Sequence, residues 1–282
     1  MSQPAANNPA AFVHAIEDRA ERHETHWPSG RMVWHRWGAG PPVVLLHGGS
    51  GSWTHWIKTI PALESRYTVW AADLPGLGDS DMPPPPLTPE SAGRVVAAGI
   101  VELIDPAMRP RLVGFSFGAH VGTYAAIELG ARVASFTITG CAALGIGHRV
   151  LDFAKERASM TDAERDAAHT ETLAMLMIAE PSRIDALAVH LQRENVRRSR
   201  FRSRPFALGD EIRRHLPRVT APLRAIWGAR DQIAVPSVEA RFAVLREHHP
   251  ELIARTIEDA GHWAMYEQPE RFNATLVELL EA

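Results

Sequence analysis

Short apolar runs without polar alternation recur in the first half of the chain and again near its end. Strands that are buried on both faces have this composition, because neither face meets water. Helical patterns such as Pro89 to Ile104 and Phe117 to Leu129 lie between the runs. The runs are Val43 to Leu46, Thr68 to Ala72, Leu112 to Phe115, Val133 to Ile138 and Leu223 to Trp227. This β-α-β alternation predicts an α/β fold whose mostly parallel sheet carries helices on both faces.

A different pattern precedes the first of these runs. Two β-prone segments, Arg22 to Trp27 and Arg31 to Trp37, flank the turn tripeptide Pro28-Ser29-Gly30. We therefore expect an antiparallel hairpin here, preceded by a polar tail.

The strand pattern disappears from about residue 141 to residue 215. Arg, Glu, Met and Ala dominate this stretch in helical patterns, such as Thr170 to Ile178 and Ile184 to Arg197. Strand character returns at Pro222, and an amphipathic helix is predicted for Pro269 to Leu280. We predict that residues 1–140 and 216–282 form one α/β core and that residues 141–215 form a helical insertion.

The balance of charge excludes some classes of partner. The 282 residues include 30 Lys and Arg against 33 Asp and Glu, so a general attraction to nucleic acid or to anionic membranes is not expected. The single cysteine, Cys141, excludes an intramolecular disulfide, and no Cys and His residues have zinc-site spacing. Without a leader pattern or an apolar run of about 18 residues, the chain is predicted to be cytoplasmic and to act on a small molecule.

One motif combines sequence with position. Gly114-Phe115-Ser116-Phe117-Gly118 fits G-x-S-x-G and lies between an apolar strand and a helix. The glycines leave room for a strained turn that holds the serine above the sheet edge, and the helix N-terminus offers a free backbone N–H. Ser116 is therefore the candidate nucleophile.

A serine hydroxyl needs a base, normally a histidine that a carboxylate orients. Of the 14 histidines, position selects His262, which lies in a loop between the apolar run Leu252 to Ile257 and the last helix. Asp231 follows another strand, where catalytic groups of parallel sheets collect. Asp73 also follows a strand and is the rival acid.

The order Ser, Asp, His together with the elbow resembles the α/β-hydrolase fold family. The matching stretches are Leu46-His47-Gly48-Gly49-Ser50-Gly51, Asp73 to Ser80, the elbow, and Gly261-His262 followed by Glu267-Gln268-Pro269. The resemblance implies an eight-stranded type of sheet, Ser116 as nucleophile, His262 as base and Asp231 as acid. It also implies that the insertion is a cap over the site and that neither a metal nor an organic cofactor is needed.

The resemblance further implies an oxyanion hole made of two backbone donors, Phe117 and Gly49, with Ser50 as the alternative to Gly49. It makes His47 a structural residue, and His120 is expected to pack within the elbow helix. The residues expected to contact the substrate are Ser50, Phe115, Arg193, Trp227 and Trp263.

Six arginines and one glutamate lie between Arg193 and Arg204. These residues have two interpretations. Either they form a solvent-exposed face that pairs with nearby acidic residues, or one of the arginines binds a substrate carboxylate. In this family, hydrolases that cleave carbon–carbon bonds of ring-fission (meta-cleavage) products use a cap arginine in that way, and they carry Gly-His-Trp at the base, as residues 261–263 do. They usually have a small polar residue before the serine, where Phe115 stands here.

The sequence thus predicts a cap-bearing serine hydrolase that opens a carboxylic ester or similar acyl bond of a small, largely apolar substrate. The alternatives are carbon–carbon hydrolysis of a vinylogous diketo acid, and a lyase or binding protein on the same scaffold. Because family members with dehalogenase or epoxide hydrolase activity use an aspartate at the elbow, Ser116 argues against those two chemistries. A homodimer is compatible with the sequence, which does not determine the state of assembly.

Overall fold

A computed structural model describes residues 8–147, 149, 151, 157 and 159–282. Its centre is one eight-stranded sheet in the order β1-β2-β4-β3-β5-β6-β7-β8. The strands are β1 (Glu21–Trp27), β2 (Gly30–Trp37), β3 (Pro42–Leu46), β4 (Thr68–Ala72), β5 (Arg111–Phe115), β6 (Ser135–Thr139), β7 (Leu223–Gly228) and β8 (Ile253–Ile257).

Strand β1 pairs with β2 as an antiparallel hairpin, from Glu21 opposite Arg36 to Trp27 opposite Gly30. Strand β2 pairs with β4 in the antiparallel sense, and every later pair is parallel. The predicted hairpin and the mostly parallel sheet are therefore confirmed. The carboxyl ends of β3, β5, β7 and β8 all point to one edge of the sheet, which is where the candidate residues were expected.

Helices cover both faces of this sheet, and two apolar cores lie between the helices and the strands. The buried strand patterns explain this arrangement, since all five residues of β3 and all six of β7 are buried. The α-helices are α1 (Pro9–Glu17), α2 (Ile60–Leu63), α3 (Pro89–Leu103), α4 (Phe117–Leu129), α5 (Asp162–Thr172), α6 (Ala186–Arg197), α7 (Glu211–His215), α8 (Val238–Arg246), α9 (Ala264–Glu267) and α10 (Pro269–Glu281).

Helix α1 occupies part of the segment that was expected to be a polar tail. Asn8 caps it by accepting a hydrogen bond from the Ala11 N–H, and Pro9 occupies the first position. An asparagine cap followed by proline is a helix-start signal. The expectation of a tail was wrong because the segment also has an apolar side, on which Ile16 is buried.

The described part of residues 141–215 contains helices and no strand. Helix α5 continues into a π-helical turn, Leu173–Met177, and α6 follows after a short 3-10 turn, Pro181–Arg183. This stretch is called the inserted segment below. Within the described residues no helix has the length and apolar character needed to cross a membrane.

Candidate active site

The sharp turn between β5 and α4 holds Ser116 in a strained conformation. Its φ of 52° and ψ of −115° lie outside the regions that residues with side chains prefer. The flanking glycines permit the turn, because a Cβ at Gly114 would lie 2.6 Å from the Ala119 Cα and one at Gly118 would collide with the Leu46 carbonyl. The two glycines thus allow the elbow to pack tightly while Ser116 projects from it.

The structure brings Ser116, His262 and Asp231 together. The His262 Nε2 lies 3.1 Å from the Ser116 Oγ, and its Nδ1 lies 2.9 Å from the Asp231 Oδ2. A carboxylate can only accept a hydrogen bond, so the imidazole proton belongs on Nδ1 and Nε2 is left to accept the serine proton. This is the geometry that general-base activation of a hydroxyl needs.

The loop that carries Asp231 is held by contacts that the sequence did not reveal. The Asp231 side chain has no exposed surface, and its Oδ1 accepts a hydrogen bond from the Ile233 N–H at 3.1 Å. The buried guanidinium of Arg241 donates to the carbonyls of Ile233 and Val235 at 2.9 and 3.1 Å. Burial lowers the pKa of Arg241, and nearby Cys141 and Asp231 oppose that shift. Arg241 therefore holds the loop that carries Asp231 in place.

The glycine-rich loop after β3 lies against the elbow. A Cβ built on Gly48 would lie 3.3 Å from the Ser116 Cβ, and one on Gly49 would lie 3.7 Å from the Phe117 Cβ. Phe117 is the first residue of α4, where the N–H has no partner from a preceding turn. No described residue accepts a hydrogen bond from the N–H of Gly49 or Phe117. Both N–H groups are therefore candidates for binding a developing oxyanion.

Two buried histidines support this loop. The His47 Nε2 accepts a hydrogen bond from the Leu74 N–H at 2.9 Å, and its Nδ1 lies 2.7 Å from the Gly48 carbonyl. Burial lowers the pKa of His47 to about 4, so the ring is neutral. His55, which sequence reasoning missed, accepts a hydrogen bond from the Gly48 N–H through Nδ1 at 3.2 Å. Burial also holds the pKa of His55 well below its ordinary value.

Asp73, the rival acid, is engaged elsewhere. Its carboxylate accepts hydrogen bonds from the N–H groups of Trp53 and Asp79, both at 2.9 Å. His120 is buried within α4, where its Nε2 lies 3.0 Å from a Glu211 carboxylate oxygen. The structure therefore joins His262 to Asp231, while Asp73 and His120 support other parts of the fold.

Glu267 in α9 belongs to a stretch that resembles the family, but its role was not predicted from the sequence. It is 2% exposed, and its carboxylate accepts hydrogen bonds from the N–H groups of Gly261, Ala179 and Glu180 at 2.7, 3.0 and 2.8 Å. The first of these donors precedes His262, and the other two belong to the inserted segment. One buried carboxylate thus joins the histidine loop to that segment.

The aromatic residues expected at the site have different surroundings. The Phe115 ring lies 4.9 Å from the His262 ring, centroid to centroid. Trp263 is buried, stacks on Tyr266 at 4.2 Å and donates its indole N–H to the His55 carbonyl at 2.9 Å. Phe115 thus contacts His262 directly, while Trp263 holds the loop that carries His262 in place.

Two more of the residues expected to contact the substrate point elsewhere, and a third, Ser50, lies in the glycine-rich loop after β3. The Trp227 ring packs against Phe242 of α8 within the core. The Arg193 guanidinium lies 3.2 and 3.3 Å from the carboxylates of Asp162 and Asp166. The structure therefore brings Trp227 to the core and Arg193 to acids of α5 rather than to Ser116. Ser50 follows Gly49 in the loop with φ 47°.

The family model of the alpha/beta hydrolase family matches residues 43–275. The chain therefore belongs to this family. The match covers strands β3 to β8 and the inserted segment, so it includes all three residues of the Ser116, Asp231 and His262 arrangement.

Individual relatives differ in chemistry. A soluble epoxide hydrolase of Corynebacterium sp. (strain C12) is 38% identical over 100 residues, which are 35% of this chain and 34% of that protein. A 2-hydroxy-6-oxononadienedioate/2-hydroxy-6-oxononatrienedioate hydrolase of Burkholderia vietnamiensis (strain G4 / LMG 22486) is 24% identical over 95% of this chain and 94% of that one. The crystal structure of naproxen esterase from Bacillus subtilis matches with a TM-score of 0.73 at 18% identity, covering 99% of both chains.

Proposed function

We propose that the protein is a serine hydrolase that cleaves a carboxylic ester or similar acyl bond of a small, largely apolar substrate. The observation that carries the proposal is the hydrogen-bond relay in which His262 bridges Ser116 at 3.1 Å and Asp231 at 2.9 Å. A relay of this kind activates an alcohol for attack on an acyl carbon. The same proposal makes residues 141–215 a cap over the site and predicts a cytoplasmic enzyme.

The reaction takes two steps. The Ser116 Oγ attacks the acyl carbon while His262 Nε2 takes its proton, and the amides of Gly49 and Phe117 hold the oxyanion. His262 then protonates the departing alcohol, which leaves an acyl-enzyme. Water attacks this ester as His262 accepts a proton, and the acid and free Ser116 are released.

Carbon–carbon hydrolysis of a vinylogous diketo acid is the second candidate. The relative from Burkholderia is named as a hydrolase of such compounds, and residues 261–263 carry Gly-His-Trp. Against it, the Arg193 guanidinium already pairs with Asp162 and Asp166, so it is not poised to hold a substrate carboxylate. We do not propose epoxide hydrolysis for this chain. Epoxide hydrolases of this family form an alkyl ester on a carboxylate, and residue 116 is a serine.

The experiment compares the wild-type protein with Ser116→Ala on a short p-nitrophenyl ester and a chromophoric vinylogous diketone. We expect the ester to be the better substrate and Ser116→Ala to lose at least about 10³-fold in kcat. Ser29→Ala, in the exposed turn of the β1–β2 hairpin, serves as the matched control and should retain full activity. Retention of most ester activity by Ser116→Ala would refute the mechanism, and preference for the diketone would favour the second candidate. A folded protein inactive on both would favour a lyase or binding protein.

A further inference from the structure

Part of the inserted segment lies directly along the loop that carries the candidate oxyanion donor. Three of its residues, each four positions after the last, contact that loop, and the two stretches run antiparallel. Asn195 meets Ser52 and Thr54, Ser199 meets Ser50, and Ser203 meets Gly49. The two stretches, residues 195–203 and 49–54, therefore run side by side.

The strongest of these contacts is at Asn195, near the end of α6. Its side-chain carbonyl accepts hydrogen bonds from the Ser52 Oγ at 2.7 Å and from the Thr54 Oγ1 at 3.3 Å. Its amide Nδ2 lies 3.1 Å from the Thr54 Oγ1. Asn195 is 1% exposed, so losing these partners would leave a buried amide unsatisfied, which is costly.

The other two contacts reach the loop at its tip. The Ser199 Oγ lies 3.3 Å from the Ser50 Oγ, and Ser50 adopts a φ of 47° that a residue with a side chain rarely takes. The Ser203 side chain occupies the place that a Cβ on Gly49 would need. Since the 48–51 stretch is Gly-Gly-Ser-Gly, its backbone has wide freedom and needs such contacts to hold one geometry.

We propose that residues 195–203 position the loop of residues 49–54, which we call the oxyanion loop, and that Asn195 is the main positioning residue. The oxyanion hole is then complete only when the inserted segment is docked on the core. This inference rests on the proposed hydrolase function. Asn195 does not touch the reacting atoms, and it acts through Ser52 and Thr54 on the placement of the Gly49 N–H.

The test compares Asn195→Ala and Thr54→Val with the wild type. An oxyanion donor contributes about 10²- to 10³-fold to kcat, so its displacement should lower kcat by about 10- to 100-fold while KM stays within about threefold. A trifluoromethyl ketone, whose adduct with Ser116 carries an oxyanion, should bind more weakly by about the same factor. Ser199→Ala, which leaves the buried contacts intact, should lower kcat by only about threefold.

Asp79→Asn is the matched control. It removes the ion pair of Asp79 with Arg198, 3.2 Å apart, which joins the same stretch of the inserted segment to the core but does not touch residues 49–54. Its kcat and ketone affinity should stay at the wild-type level. The loss of kcat in the double variant Asn195→Ala/Thr54→Val should be smaller than the product of the two single losses, because both substitutions break the contact between Asn195 and Thr54.

Three results would overturn the proposal. In the first, Asn195→Ala folds but keeps its kcat and ketone affinity. In the second, only KM or thermal stability changes, which would make Asn195 a structural residue. In the third, Asp79→Asn loses as much kcat as Asn195→Ala, so general loosening of the segment would be the cause. If Asn195→Ala does not fold, Thr54→Val decides by the same criteria. Retained labelling of Ser116 by a fluorophosphonate would show that the hydrolase proposal survives such a failure.

Discussion

The α/β core and the inserted segment contribute to the site by different means. The core places Ser116, Asp231 and His262 after strands β5, β7 and β8, whose carboxyl ends share one edge of a buried sheet. The inserted segment contacts the core near the same edge partly through individual hydrogen bonds, such as those between Asn195 and Ser52 and between Ala179 and Glu267. Burial of strands fixes the first arrangement, whereas the second combines apolar packing of residues such as Leu191 and Phe201 with single hydrogen bonds.

This contrast explains why substitutions in the two regions should have unequal effects. Ser116, Asp231 and His262 each follow a buried strand, so replacing one of these side chains should remove its chemistry without moving the sheet. Contacts of the inserted segment can be removed one at a time without disturbing the sheet. We expect the largest effects in the core, smaller ones where Glu267 joins the core to the inserted segment, and the smallest on the surface of that segment.

The largest effect is expected for Asp231→Asn. An amide at this position would reverse the tautomer of His262, and the equivalent loss in a Ser-His-Asp triad is about 10⁴-fold in kcat. Steady-state kinetics on the ester identified above measures it. Asp259→Asn, at an exposed loop position after β8, is the control and should keep full activity. If Asp231→Asn were as active as the control, the acid would have to be another residue.

The next effect concerns the core histidines and pH. His47 is neutral when folded, with its pKa lowered to about 4, while an unfolded histidine has a pKa near 6.5. The unfolded state therefore takes up a proton first, so this contribution to stability is fully present above pH 6.5 and is lost as pH falls towards 4. The difference corresponds to about 3 kcal/mol.

Urea unfolding of the wild type, His47→Gln and His190→Gln between pH 7 and 4.5 tests this expectation. His47→Gln should show a shallower decline with acid than the wild type. His190, in the inserted segment, is only partly buried, and its replacement should change the slope less. Equal slopes in all three proteins would rule out a neutral, buried His47 as the source.

A smaller effect is expected at Glu267, which joins the core to the inserted segment. Glu267→Gln leaves one acceptor oxygen where the carboxylate satisfies three backbone N–H groups, so the free energy of unfolding should fall by about 1 to 3 kcal/mol. We also expect a decrease of about 10-fold in kcat/KM, because the Gly261 N–H precedes His262. Glu270→Gln, in the first turn of α10, is the matched control. A variant as stable and as active as that control would show that this carboxylate holds nothing in place.

The smallest effect is expected for Arg193→Ala. Partly exposed ion pairs such as those with Asp162 and Asp166 contribute at most about 1 kcal/mol, so the free energy of unfolding should fall by no more than about that amount. Ester turnover should change by less than about threefold. Kinetics on an ester and on a diketo acid measure the result. A KM for the diketo acid that rises more than about 10-fold would show that Arg193 binds carboxylate and would favour the carbon–carbon reaction.

Much of the core could be predicted from the sequence, because unbroken apolar runs and turn residues act locally. The hairpin that ends at Trp37, the parallel strands and the sharp turn at Ser116 follow from such patterns, and the structure brings Ser116, Asp231 and His262 together. Residues that depend on a distant partner could not be found in this way. Asn195 and Arg241 look like ordinary polar residues until the fold buries them, and the role of Glu267 depends on backbone N–H groups far along the chain.

The central claim is that Ser116 is the residue that becomes acylated, and mapping a covalent adduct tests it most directly. Wild-type protein and His262→Ala would be treated with a fluorophosphonate, digested and examined by mass spectrometry. We predict one adduct on Ser116 in the wild type and a far slower reaction in His262→Ala. Modification at another residue, or labelling of Ser116 at the same rate without His262, would contradict the claim.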